Sequence, residues 1–184
     1  MSELQPTILD LCGGSGSWSQ PYRERGYYVE VLDLMNGDDV RTLKYRDIRV
    51  RGILAAPPCT DLAGSGARWW PDKGADALAQ ALAVADACLR AVVLHKPTWW
   101  ALENPVGRLR HYYGDPTLIF DPCDYGDPYT KRTLLWGQFS LPDTNPVEPT
   151  EGSKMHKLGP SPERQALRSL TPPGFANAFF EANP

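Results

Sequence analysis

Histidine is scarce in this 184-residue chain: there are three, and none stands at ligand spacing from the four cysteines Cys12, Cys59, Cys88 and Cys123. Those cysteines lie far apart with no Cys-x-x-Cys pair, so neither a zinc site nor a disulfide scaffold is expected, and all four should be free thiols. Charge of one sign is not in excess. The 19 lysines and arginines against 22 aspartates and glutamates leave a net −3, which advertises no broad electrostatic grip on nucleic acid. No apolar run reads as long enough to span a bilayer, and the start, Met1 to Pro6, carries neither a basic region nor an apolar signal core. The expectation is a cytoplasmic protein without membrane or metal. Internal repeats and low-complexity tracts are missing too, since the 18 prolines and 16 glycines are scattered as tight connections.

What is present fits one domain over 1–184 with a substantial core, at 42% apolar residues. Thr7 to Cys12 reads as a short apolar strand ending in Gly13-Gly14-Ser15-Gly16. Ser17 to Arg25 can form a helix closed by Gly26, and Tyr27 to Leu32 alternates as a second strand with Asp33 at its end. This is a β-α-β unit with a glycine loop after the first strand and an acid after the second. The next strand is Gly52 to Ala56. Asp76 to Leu94 carries Leu78, Ala81, Leu82, Ala85, Leu89, Val92 and Val93 at helical spacing, and Lys96-Pro97 stops it. Trp99 to Leu102 enters Glu103 as another buried strand. Leu118 to Phe120 and Thr133 to Trp136 form two later strands, joined through Tyr125-Gly126-Asp127-Pro128, and Asp143 to Pro162 reads as loop. Thr171 as N-cap and Pro172 at the first position open a last helix with Phe175, Ala178 and Phe179 on one side. Such alternation predicts a doubly wound, mostly parallel α/β sheet.

Two sites stand out. Gly14 and Gly16 let the backbone turn sharply and approach a ligand closely, Asp33 could accept from both ribose hydroxyls, and Asp39 could hold an adenine amino group. The loop alone fits a structural turn, a nicotinamide dinucleotide or another nucleotide-like cofactor, although Gly14-Ser15-Gly16-Ser17-Trp18 lacks the last glycine of Gly-x-Gly-x-x-Gly. The second site pairs Ala56-Pro57-Pro58-Cys59 with Glu103-Asn104-Pro105. Pro-Pro is a stiff platform that offers no backbone donor. A thiolate after it and a strand-end carboxylate suit addition to an electron-poor ring that must also be protonated. Taken singly, Cys59 also reads as an inert thiol and Glu103 as an ordinary strand-end acid. Basic residues cluster as Arg41, Lys44, Arg46, Arg49 and Arg51, then Arg108, Arg110 and His111, then Lys154, His156 and Lys157. These are solvated surface or phosphate-contacting faces.

In order along the chain, Asp10-Leu11-Cys12-Gly13-Gly14-Ser15-Gly16, Asp33, Asp39-Val40, Pro57-Pro58-Cys59, Glu103-Asn104-Pro105 and Lys131-Arg132-Thr133 before Trp136-Gly137 resemble the cytosine-C5 DNA methyltransferase family. The resemblance implies a Rossmann-like fold of the S-adenosyl-L-methionine-dependent methyltransferase type and methylation of cytosine C5 in a base flipped from duplex DNA. It implies that Cys59 adds to C6, that Glu103 handles the proton at N3, and that Arg132 orients the base and flanking phosphate. It further implies that Asp10, Leu11, Gly14, Ser15 and Gly16 line the methionine part of the cofactor. Asp33 and Leu34 would line the ribose and ring, Asp39 and Val40 the adenine, and Pro58 would pack against the cofactor.

The pattern departs from the family at several points. Cys12 replaces a phenylalanine, leaving Trp18 and Leu34 to stack on adenine. Thr130 replaces the first arginine near Arg132, the glutamine before it is absent, and Thr171-Pro172-Pro173-Gly174-Phe175 lacks the asparagine of the family's C-terminal motif. A short, loop-rich remnant at 138–170 stands where members carry a target-recognition region, so a minimal sequence context is expected. The loop Thr60 to Lys73 is expected to be flexible and to close over the base. RNA or a free cytosine nucleotide is the alternative substrate. A module that assists a partner, and a dehydrogenase, are the alternative classes.

Overall fold

The computed structural model describes residues 6–154 and 164–184, with side chains from 166 onward in the second stretch. Met1 to Gln5, His156, Lys157 and the 155–163 part of the expected remnant lie outside the described residues.

Six strands form one sheet: β1 (Thr7–Leu11), β2 (Tyr28–Leu32), β3 (Val50–Ala55), β4 (Trp99–Pro105), β5 (Leu118–Phe120) and β6 (Thr133–Gln138), in the order β2-β1-β3-β4-β6-β5. The pairs β1–β2, β1–β3 and β3–β4 are parallel, whereas β6 runs antiparallel to both β4 and β5. The helices are α1 (Gln20–Glu24), α2 (Trp70–His95), α3 (Arg110–Tyr113), α4 (Arg164–Ser169) and α5 (Pro173–Ala182). The architecture is α/β and Rossmann-like, with chain order reversing between β1 and β3, the point where such sheets open a crevice at the strands' C-terminal ends.

Strand alternation sorts the interior into two layers. Leu9, Leu11, Ile53, Ala55, Leu102, Leu134 and Trp136 meet Ala85, Ala87, Cys88 and Ala91 of α2 on one face. Ile8, Leu54, Trp99, Ala101, Leu135 and Phe120 meet Trp18, Tyr22, Phe175, Phe179 and Phe180 on the other. Trp99 fills the space beside Gly52, where a Cβ would lie 2.1 Å from the indole.

Several boundaries differ from the sequence reading. The first helix shrinks to Gln20–Glu24, because the residues before it turn tightly around the glycine loop. The long helix begins at Trp70 rather than Asp76, with Pro71 in its first turn and a kink at Gly74 (φ 72°), and it ends where Lys96 turns left-handed at φ 47°. Thr171 is not an N-cap: that place falls to Pro172, with Pro173 opening the helix. The 138–170 segment, read as loop, contains α4. By length and composition α2 could cross a bilayer, contrary to the expectation from apolar runs, but its Ala85, Cys88, Ala91 and His95 are buried in this fold.

Candidate functional site

The glycine loop follows β1 and is held from both sides. Cys12 N donates to Leu32 O at 2.7 Å, and Gly14 N donates to the Asp33 carboxylate at 2.9 Å. The other Asp33 oxygen accepts from Met35 N at 2.9 Å. Cys12, Gly14 and Gly16 all have positive φ (55°, 53° and 71°), and a Cβ at Gly14 would meet nothing within 4 Å, so this backbone lies open to a ligand. Beneath it Asp10 is fully buried. One carboxylate oxygen accepts from Ser19 Oγ at 2.5 Å and the other has no partner. Burial pushes its pKa up to about 6, opposed by the Ser19 hydrogen bond and the charge of Arg23.

Leu34 and Met35, exposed at 64% and 82%, extend this site as an uncovered apolar surface beside Asp33. Asp39 begins the next turn, where its carboxylate is bound to Arg41 through backbone and guanidinium (2.7 Å for the ion pair), which holds it below the usual carboxylate range. Val40 is buried. Trp18 is not available for stacking on adenine. It is 2% exposed and packs on Phe175 and Phe179, while Cys12 packs toward the α2 layer.

Ala56 N donates to Leu11 O at 2.9 Å, carrying the β1–β3 pairing one residue beyond the strands and setting the Pro-Pro platform beside the glycine loop. Pro57 is buried and Pro58 and Cys59 are exposed on the rim. From β4, Asn104 Nδ2 donates to Pro57 O at 2.9 Å. Glu103, one residue earlier, projects to the opposite face and lines a crevice with Lys131, Thr133, Thr171 and Pro172. The Glu103 charge reaches the Cys59 thiol: surrounding protein and then Glu103 raise the Cys59 pKa, and Lys131 and Arg168 oppose them. Burial raises the Glu103 pKa, again opposed by Lys131. A carboxyl in that setting keeps its proton to higher pH than an exposed one, which suits proton transfer near a sulfur nucleophile.

Asn104 and Lys131 lie in the motifs read from the sequence but were not singled out for a role there, and Arg168 was not singled out at all. Arg132, which was, pairs with Asp121 at 2.8 Å and leaves its side chain 62% exposed. The strand register explains the exchange, because Lys131 shares the alternation of Thr133 and Leu135, the residue opposite Glu103. Alternation was a legible signal for Lys131; nothing local marked Arg168. The Thr60–Lys73 loop, expected to be flexible, is braced. Leu62 N and Ala63 N donate to Cys59 O, Gly64 N donates to Val106 O, and Arg108 donates to Asp61 O while stacking 4.3 Å from the Trp70 ring. The Arg41–Arg51 cluster is divided: Arg41 pairs with Asp39 in the turn after β2 and Arg46 with Glu30, while Arg49 and Arg51 stand at the opposite end of β3 from Cys59. Among the described residues no group of three or more His, Cys, Asp or Glu side chains converges as a metal site.

No protein-family model and no curated protein matches the chain. Among solved structures it is similar to a candidate DNA modification methyltransferase encoded within an E. coli prophage, at 17% identity and a TM-score of 0.47, covering 86% of this chain and 49% of that one. The chain thus spans about half the length of that protein. A likeness at this level bears on no individual residue and on no chemistry.

Proposed function

We propose that this chain methylates C5 of cytosine in DNA, drawing the methyl group from S-adenosylmethionine. The observation that carries the reading is that Cys59 and the buried Glu103 stand at the ends of the paired strands β3 and β4, with the Glu103 charge acting on the Cys59 thiol, on a platform hydrogen-bonded to the end of β1 and to Asn104. The open backbone at Gly14, the apolar surface of Leu34 and the orphaned Asp10 oxygen fit a nucleoside with a charged amino-acid tail. Asp10, Leu11, Gly14, Ser15 and Gly16 would hold the tail, Asp33 and Leu34 the ribose and ring, Asp39 and Val40 the adenine, with Pro58 against the sulfonium. When bound, the cofactor supplies an electrophilic methyl carbon.

The residues of the chain do the rest. Cys59 gives its proton to solvent base and its thiolate bonds to C6 of an extruded cytosine, and the C5–C6 π pair shifts to C5 as Glu103 passes its proton to N3. C5, now enamine-like, takes the methyl carbon as that carbon's bond to the sulfonium sulfur breaks, the bonding pair staying on the sulfur of the departing thioether. Loss of the C5 proton to solvent base then returns electrons to the ring, the C–S bond breaks with its pair leaving on sulfur, and N3 returns its proton to Glu103. Lys131 stabilises the ionised partner at each stage, and Arg132, held by Asp121, is placed for a flanking phosphate.

The test is transfer of labelled methyl from S-adenosylmethionine to double-stranded DNA, followed by nucleoside analysis, with Cys59→Ser alongside. Label in 5-methylcytosine that disappears in the variant, with cofactor binding retained, supports the reading. Label in another base, or an unaffected variant, refutes it. Transfer confined to RNA or to free cytosine nucleotides would keep the chemistry and change the substrate.

A further inference from the structure

Trp69 stands apart from the other tryptophans. Trp18, Trp99 and Trp136 are buried, Trp100 packs against the α2 layer, and Trp70 is half-buried under the Arg108 guanidinium, but Trp69 is 52% exposed and belongs to neither core. Its ring is covered by the Arg68 guanidinium, 4.8 Å from the centroid. Leaving so large an apolar ring in water on a braced element is costly unless a partner covers it.

The brace fixes where the ring stands. Trp69 ends a six-residue 3-10 helix, Gly64–Trp69, that begins just after the turn closed on Cys59 O. That helix is tied to the segment after Glu103-Asn104-Pro105 through Gly64 N to Val106 O (2.8 Å) and the Ala63–Gly107 bridge. Behind it, Lys73 pairs with Asp61 at 2.5 Å. The short helix that ends in Arg68 and Trp69 therefore starts at the rim formed by Cys59 and the ends of β3 and β4, and both side chains are exposed, as is that of Arg132.

We infer that Trp69 is the wedge that stacks inside a base-paired duplex where the target base has left, while Arg68 takes the neighbouring phosphate. This rests on the cytosine reading above and assigns its substrate as duplex rather than single strand or nucleotide. An indole with one face on a guanidinium offers the other to a base of any sequence, and the cation supplies the charge match that the net −3 of the chain does not. Removing the wedge leaves the gap unfilled, so it should matter only where pairing must be broken.

The experiment compares wild type, Trp69→Ala and Trp69→Phe on one mixed-sequence duplex, on its cytosine-bearing strand alone, and on the duplex with mispaired cytosines. Trp69→Ala should lower kcat/KM on the paired duplex by about tenfold to a hundredfold, the range of one lost base-stacking contact. Its loss on the single strand and the mispaired duplex should stay below about threefold, with Trp69→Phe in between. An equal loss on all three, or none on the paired duplex, overturns the assignment. A second readout does not need methyl transfer: in Cys59→Ser protein the duplex should quench tryptophan emission, and Trp69→Phe should remove the quenched component. Unchanged quenching in that variant overturns the wedge. Wild-type protein that methylates none of the three overturns the cytosine reading instead, and quenching through Trp69 would then still report duplex stacking.

Discussion

Asn104 Nδ2 donates to the carbonyl of Pro57 at 2.9 Å, joining the end of β4 to the platform that carries Cys59. Both groups are buried, and proline supplies no N–H with which the platform could be held otherwise. The bond couples the two halves of the site: Glu103 and Asn104 are adjacent in β4, so the residue that fixes the thiol's platform follows directly on the one whose charge acts on the thiol.

Replacing Asn104 with alanine leaves the Pro57 carbonyl unpaired, which should cost about 1–3 kcal/mol in denaturant unfolding. Methyl transfer should fall further than cofactor affinity, because the glycine loop keeps its own bonds to Leu32 and Asp33. Equal losses in both would show that Asn104 merely stabilises the fold.

Asp10 makes stability depend on pH in a direction opposite to most carboxylates. Its folded value is about 6 against an ordinary 3.8, so between those values the folded chain holds more protons than the unfolded one. This group's contribution is greatest at the acid end and declines as pH rises through 6, by about 2–3 kcal/mol in total. Asp10→Asn should remove that decline, so the variant gains on wild type as pH rises from about 4 to 7, measured as urea midpoints. A constant gap between the two proteins across that window would contradict the assignment.

Alkylation of Cys59 by iodoacetamide reads the charges around the thiol without any substrate. Partial desolvation by the surrounding protein and the Glu103 charge hold its pKa above the ordinary 9.0, so the rate should still be climbing beyond that pH. Glu103→Gln should accelerate the reaction at mildly alkaline pH by about threefold to tenfold, and Lys131→Met should slow it by a similar factor. Rates indifferent to both substitutions would mean that neither charge reaches the sulfur.

Much of the molecule is legible in short stretches of the chain. The β1–loop–β2 unit, the strand at Leu118–Phe120 and the long apolar helix follow from alternation, helical spacing and glycine placement, all local properties. Pro57-Pro58-Cys59 and Glu103-Asn104-Pro105 are likewise visible because each chemistry needs a particular residue type at a strand end. Trp18 shows the limit. It follows the glycine loop and reads as a ring for adenine, yet Phe175 and Phe179, more than a hundred and fifty residues later, enclose it. The difference between Lys131 and Arg132 is of the same kind: both are cations before β6, and only the pairing of Glu103 with Leu135 and of Arg132 with Asp121 separates their roles.

By itself, then, the sequence determined the alternating elements, the open glycine turn and the two residues suited to nucleophilic addition and proton transfer, since these depend on backbone propensity and side-chain chemistry. Tertiary structure alone decided that β6 enters antiparallel between β4 and β5, that the Cys59 loop is braced instead of free, that Arg49 and Arg51 lie at the far end of β3, and that Trp69 remains exposed. Each of those outcomes depends on contacts between residues distant in the chain, which no local spacing encodes.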